Sequence, residues 1–269
     1  MTALLSAAPV LIAYGPVATT PSLDDFFPPA IAFEGTLFEF NRMTLVRIIA
    51  TIVLLLVFTI GARRATLIPS RGQAALELII TFVRDSVAIE TLGKTEGRRF
   101  APILTTIFVA VFAMNITGVI PGLNIAASSV VAVPLVFAIF SYVLFIGAGI
   151  RAQGVGHFFK NQLFPPGIPW PLYIILTPIE ALSTFIIRPA TLTIRLLANM
   201  VAGHLMLALC FFGTHYLFFE AAGAGKLVGL LTFAGGAVFT LFEIFVAALQ
   251  AYVFAILTAV YIKLSIESH

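Results

Sequence analysis

Residues 189–204 read PATLTIRLLANMVAGH. Within this apolar run Arg195 has no acidic side chain in helical pairing range: the next charge downstream, histidines aside, is Glu220. The wider chain explains the setting. Of its 269 residues 60% are hydrophobic and only 10% are charged, against about 25% charged in soluble domains. The stretch is therefore read as a membrane-embedded helix, where an arginine at the bilayer centre costs roughly 2.5 to 3.5 kcal/mol on insertion scales. Arg195 needs a compensating partner or a task.

The net charge of +3 and the pI near 9.2 come from short Arg and Lys clusters beside apolar segments. That pattern is a topology signal rather than a nucleic-acid surface. Cys210 is the single cysteine and lies in the run LMLALCFF, so an intrachain disulfide is excluded and a small packing role remains. The opening MTALLSAAPVLIAYG lacks the charged leader of a secretory signal.

Outward from Arg195 the chain divides into spans. Residues 21–41, PSLDDFFPPAIAFEGTLFEFN, hold Asp24, Asp25, Glu34 and Glu39 with no base, and read as a surface arm. Met43 to Ala62 is long enough to cross about 30 Å of hydrocarbon, with Arg47 near its start in snorkelling position. Ser70 and Gln73 make a capping box ahead of AALELIITFVRDSVAIE, an amphipathic helix expected at the interface. Phe100 to Ile120 is a charge-free span, residues 121–125 turn the chain, and Ala126 to Ile150 returns. The bases at 63–71, 94–99 and 151–160 are then cytoplasmic and the amino-terminal arm external.

Trp170 to Phe219 and Leu227 to Leu264 are too long for single upright crossings. Either they break, at Pro178, Pro189 or the pair Gly235 and Gly236, or they lie strongly tilted. They carry Glu180, Arg188, Arg195, Asn199, His204, Glu243 and Gln250, and polar groups at membrane depth mark pathways. Asn199 is four residues beyond Arg195 and shares its face, whereas His204, nine beyond, turns to roughly the opposite side. Glu243 and Gln250 are seven apart and share a face. Packing the two helices together pairs Arg195 with Gln250 and His204 with Glu243. Histidine and a partly buried glutamate can relay protons near neutral pH; an arginine, with a pKa above about 12, is a fixed charge that does not. Glu180 and Arg188, near one end of the first stretch, suit lipid headgroups or a neighbouring subunit. His215 is expected in an outer loop, within an aromatic belt.

These residues carry a resemblance. IRPATLTIRLLANMVAGHL followed by EIFVAALQAYVFAILTAVYI resembles the paired signature of the a subunit of F-type ATP synthases (the ATPase subunit 6 family), and GQAALELIITFVRDSV and FVAVFAMNITGVIPG extend the similarity from about residue 69 onward. The resemblance implies an all-α integral membrane protein: about five embedded helices plus one interfacial helix, the last two forming a long tilted hairpin against a rotor ring. It implies a proton-conducting stator with two offset half-channels. Arg195 matches the arginine that faces the rotor carboxylates, Gln250 the glutamine beside it, and Asn199 a polar neighbour. The relay pair reads His204 and Glu243, where many bacterial relatives have acid and histidine in the reverse order. Near MNITGVIPG and NIAASSVV, where relatives often carry acids, this chain has Thr117, Gly118, Ser128 and Ser129.

The implied partners are the c-ring, b-type peripheral stalk subunits and membrane lipid, with no nucleic acid, no cofactor and no metal. GAGK at 223–226 has Glu220 and Leu227 where a phosphate loop needs glycine and Ser or Thr, so nucleotide is not expected here. The domain division is an extracytoplasmic arm, 1–42, and a membrane domain, 43–269, in a bacterial plasma membrane with the carboxyl terminus cytoplasmic. A stand-alone proton-coupled secondary transporter, with Arg195 binding an anionic substrate, is the alternative; the sequence shows no inverted repeat to support it. A passive assembly scaffold is the third reading, in which loss of Arg195 disturbs assembly rather than transport.

Overall fold

A computed structural model describes residues 30–32, 40–66, 68–120, 130–164, 172–219 and 225–267. Most of the amino-terminal arm, the turn at 121–125 with Ser128 and Ser129 after it, and Glu220 lie outside the described residues. A short antiparallel pair, β1 (Ala30–Ala32) and β2 (Phe40–Asn41), leads into α1 (Arg42–Arg63). Asn41 caps α1 by accepting from the Thr44 amide at 3.0 Å. Only Met43, Val46 and Ala50, a stripe at helical spacing, are buried in α1; the rest of its apolar surface is free to meet lipid.

α2 (Arg71–Phe82) starts at Ser70, whose hydroxyl caps the Gln73 amide. The capping box is only half made, because the Gln73 side chain turns to Glu77 and to the Thr66 carbonyl instead of back to Ser70. α2 runs through a π-helical stretch, Val83–Ile89, into α3 (Glu90–Ile116). The helical path breaks at Gly93, with φ of 79°, a conformation open to glycine because it lacks a Cβ. The chain doubles back there. Gly97 is then pressed onto the Ala88 carbonyl, where a Cβ would sit 2.7 Å from the oxygen.

The amphipathic segment is thus more deeply used than an interfacial helix. Val83, Val87 and Ala88 are buried in a core with Phe100, Ala101 and Leu104 of α3, Phe145 of α4 (Ala132–Gln153), Phe158 of α5 (Val155–Leu163), and Ala255, Ala259 and Ile262 of the last helix.

The carboxyl-terminal third is unbroken. α6 (Tyr173–Leu182), a π-helical turn (Ser183–Ile187) and α7 (Arg188–Phe219) form one apolar column of 47 residues, and α8 (Gly225–Ile266) has 42. At 1.5 Å per residue these are about 70 and 63 Å long, roughly twice the hydrocarbon thickness. Neither column is fractured. Pro178 and Pro189 stay inside the column: the π turn just before Pro189 loosens the i→i−4 ladder where proline has no N–H to give. Gly235 and Gly236 likewise do not interrupt α8.

Five helical segments are long and apolar enough to cross a membrane, and the chain is an all-helical multi-pass membrane protein. The last turn of α8 is tied to α4 and α5. Ser265 Oγ donates to the Phe145 carbonyl at 2.6 Å, Gln153 Nε2 to the Ser265 carbonyl at 3.0 Å, and Asn161 Nδ2 to Gln153 Oε1 at 2.8 Å.

Candidate functional site in the α7–α8 hairpin

α7 and α8 pack antiparallel with a constant register. Gly229 meets Leu217, Thr214 Oγ1 bonds Thr232 Oγ1 at 3.2 Å, Gly236 meets Cys210, and Gly203 meets Glu243. Each step back along α7 is matched by an equal step forward along α8. Small side chains make this possible, since glycine lets two helix backbones approach.

Glu243 is the polar exception in that seam. Its carboxylate lies directly over Gly203, so that any Cβ at position 203 would fall on it. His204 is the next residue of α7, and both His204 and Glu243 are buried, at 7% and 6% exposure. The expected pairing of these two helical levels is therefore met, through a glycine contact that composition and spacing did not reveal. The adjacency of Gly203 to His204 in VAGH was the available signal.

Seven residues further along the same register, Gln250 comes level with Leu196, beside Arg195. Gln250 is buried at 8% exposure, whereas Arg195 is exposed and Asn199 is half-buried. Among the described residues no hydrogen bond or ion pair joins Arg195 to Gln250, Asn199 or an acid. Level with each other is all that Arg195 and Gln250 are. Glu243 cannot neutralise Arg195 from within the chain, because Gly203 is eight residues, about 12 Å, further along the helix axis.

Arg188 departs from expectation. Its guanidinium lies 5.2 Å from the centroid of the Tyr261 ring on α8, an intrachain contact that the expected roles at headgroups or a neighbouring subunit did not include. His215 departs as well: it lies in the last turns of α7, its ring 4.9 Å from that of Phe219, not in a loop. Thr117 and Gly118, at the end of α3, are buried, as is Asn115, which no reading of the sequence singled out.

Fold and site together define a multi-pass helical membrane protein with two titratable residues buried in one hairpin and an exposed arginine on the same helix pair. The ATP synthase A chain family model matches residues 44–263. The ATP synthase subunit a of Rhodococcus erythropolis is 45% identical over 248 residues, covering 92% of this chain and 90% of its own. That of a Parafrankia species is 39% identical over 251 residues, covering 91% and 83%, and that of Gluconacetobacter diazotrophicus 38% over 239, covering 87% and 92%. The chain belongs to the ATP synthase A chain family. With that membership comes the role of proton-translocating stator subunit in the F0 sector.

Proposed function

We propose that the chain passes protons through two offset half-channels to and from a carboxylate on the c-ring, and so turns a proton gradient into rotation. Protons enter from the outer face past Glu243 and His204, with Asn199 and Gln250 as polar neighbours near the rotor. They leave the ring toward the cytoplasm. Arg195 lies between the two routes. It favours the ionised rotor carboxylate as it passes and blocks direct hopping, because a guanidinium holds its proton at all working pH values. Each proton contributes about 2.3 kcal/mol per 100 mV of membrane potential.

One observation carries this reading: Arg195 is exposed and, among the described residues, has no hydrogen bond or ion pair, while Glu243 and His204 are buried about 12 Å away along the axis. An uncompensated charge facing outward at membrane depth calls for an acid on another chain.

The remaining assignments follow from the same reading. The amino-terminal residues 1–42 form an external arm and 43–269 the membrane domain. The carboxyl terminus is cytoplasmic, the membrane is a bacterial plasma membrane, and b-type stalk subunits hold the chain against the rotor. The chain has no catalytic or nucleotide site of its own; the torque is used elsewhere in the complex.

The test is ATP-driven acidification of inverted membrane vesicles carrying Arg195→Ala, with the amounts of this chain and of c-ring measured in the purified complex. Pumping is expected to vanish in an intact complex. Persistent pumping sinks the proposed barrier, and a dispersed complex restores the scaffold reading.

A further inference from the structure

Arg188 is a second arginine at membrane depth, two helical turns before Arg195, and its surroundings differ. Its guanidinium lies over Tyr261, in a tight crevice walled by Ala138, Ser141, Tyr142, Phe145 and Leu192. Nη1 is buried with no hydrogen-bond partner, and no ion pair among the described residues includes Arg188. The crevice is too closely packed to admit a ligand. The wall is itself rigid: Tyr142 and Tyr261 each meet Phe145 edge-on, and Ser141 Oγ and Thr258 Oγ1 are 2.6 Å apart.

A cation held by one aromatic face, with an N–H left over, is a poor way to stabilise a helix contact. Cation–π attraction is modest, and a buried donor without a partner takes back a comparable amount. An apolar side chain would pack better, so the stack serves something other than stability.

Its place in the chain indicates what. Arg188 is the first residue after the π-helical turn Ser183–Ile187. A π turn changes the angular step of the helix, so the rotation of α7 is set by what α7 itself packs against: its buried stripe of Leu192, Leu196, Met200 and Gly203 and, at its first residue, Arg188 on Tyr261. Arg188 and Arg195 are seven residues apart, which places them within about 20° on the α7 surface. A rotation of α7 that turned Arg195 away from its outward aim would also pull Arg188 off Tyr261.

We propose that Arg188 is a positioning residue: its stack on Tyr261 fixes the rotation of α7 and thereby the aim of Arg195. This rests on the role given to Arg195 above. Lysine at 188 keeps the charge but lacks the flat face that stacks, and phenylalanine at 261 keeps the ring.

The test uses the whole complex in inverted vesicles, comparing Arg188→Leu, Arg188→Lys, Tyr261→Leu, Tyr261→Phe, the double leucine variant and Arg195→Ala. ATP-driven pumping is read beside passive proton leak after the soluble sector is stripped. With the complex present in normal amount, Arg188→Leu and Tyr261→Leu are expected to lower pumping about tenfold or more, as a misplaced charge does. Leak should rise in both. The double variant should be no worse than either single one, and Tyr261→Phe should restore most of the pumping. Normal pumping in either leucine variant, or strictly additive losses, overturns the proposal. If Arg188→Leu does not assemble, Arg188→Lys decides: reduced pumping in an intact complex supports the stack, and wild-type pumping overturns it. Arg195→Ala separates the two ideas, since pumping that survives there sinks the role of Arg195 itself, whereas pumping lost there but normal in the leucine variants sinks only the positioning.

Discussion

The two halves of α8 live in different surroundings. From Gly225 to about residue 246 the buried residues are Gly229, Gly236 and Glu243, one every seventh position, and their neighbours such as Leu231 and Leu241 are about 70% exposed. Beyond it the buried set is Ala247, Gln250, Ala251, Phe254, Ala255, Thr258, Ala259, Ile262 and Ser265, at spacings of one, three and four. Among the described residues the loop-end half packs on α7, whereas the other half is enclosed by α3, α4 and α7. A heptad of small residues suffices for one close neighbour, while three neighbours demand a filled stripe on more than one side. Glu243 sits at the changeover. It is the last member of the sparse series, buried at 6% exposure with its carboxylate over Gly203, so the hairpin holds a carboxylate where its packing changes character.

The largest expected effect comes from closing that gap. Gly203→Leu places atoms on the Glu243 carboxylate and should lower ATP-driven pumping at least about tenfold, by displacement of a group in the path, while c-ring content in the complex stays normal. Unchanged pumping would mean that Glu243 is not where the sparse series hands over to function.

Next, Gly149→Val tests the crowded half. A side chain there collides with Ser265 Oγ and the Phe158 ring, so overpacking should destabilise the chain by about 1 to 3 kcal/mol. Detergent-induced unfolding would register that loss, with pumping falling only as the amount of complex falls.

Thr258→Val removes the buried hydroxyl pair with Ser141. A loss of about 1 kcal/mol is expected in the same unfolding assay. A null result there would show that the enclosed half is held by packing alone.

Smallest of all should be Gly235→Leu, since that position has no atom near it and faces the lipid side of the loop-end half. Pumping within about twofold of wild type is expected; a large loss would reveal a partner pressed against this surface.

Apolar length and the positions of the bases were enough to find the crossings, because lipid forces every span to be long and apolar. Helical arithmetic likewise placed His204 opposite Glu243 and Gln250 level with Arg195. What spacing cannot report is which neighbour a face meets. The contact of Arg188 with Tyr261 is invisible to spacing because the two lie on different helices far apart along the chain. Pro189 reads as a break in the sequence because the π turn just before it leaves no mark in the residue pattern; Pro178 stays within α6. The Gly93 reversal was equally hidden within LGK, and it carried Val83 and Val87 from an expected surface into the core.

The tied carboxyl end of α8 has a mechanical meaning. Ser265, Gln153 and Asn161 anchor one end of a stiff rod whose other end, from Gly225 to about residue 247, extends roughly 34 Å with one companion. For a beam clamped at one end, sideways deflection under a given force grows with the cube of the free length. A load applied near Gln250 is borne almost without yield, and the same load at the loop end bends the pair visibly. The hairpin is therefore graded in compliance, rigid beside Arg195 and springy toward its loop end.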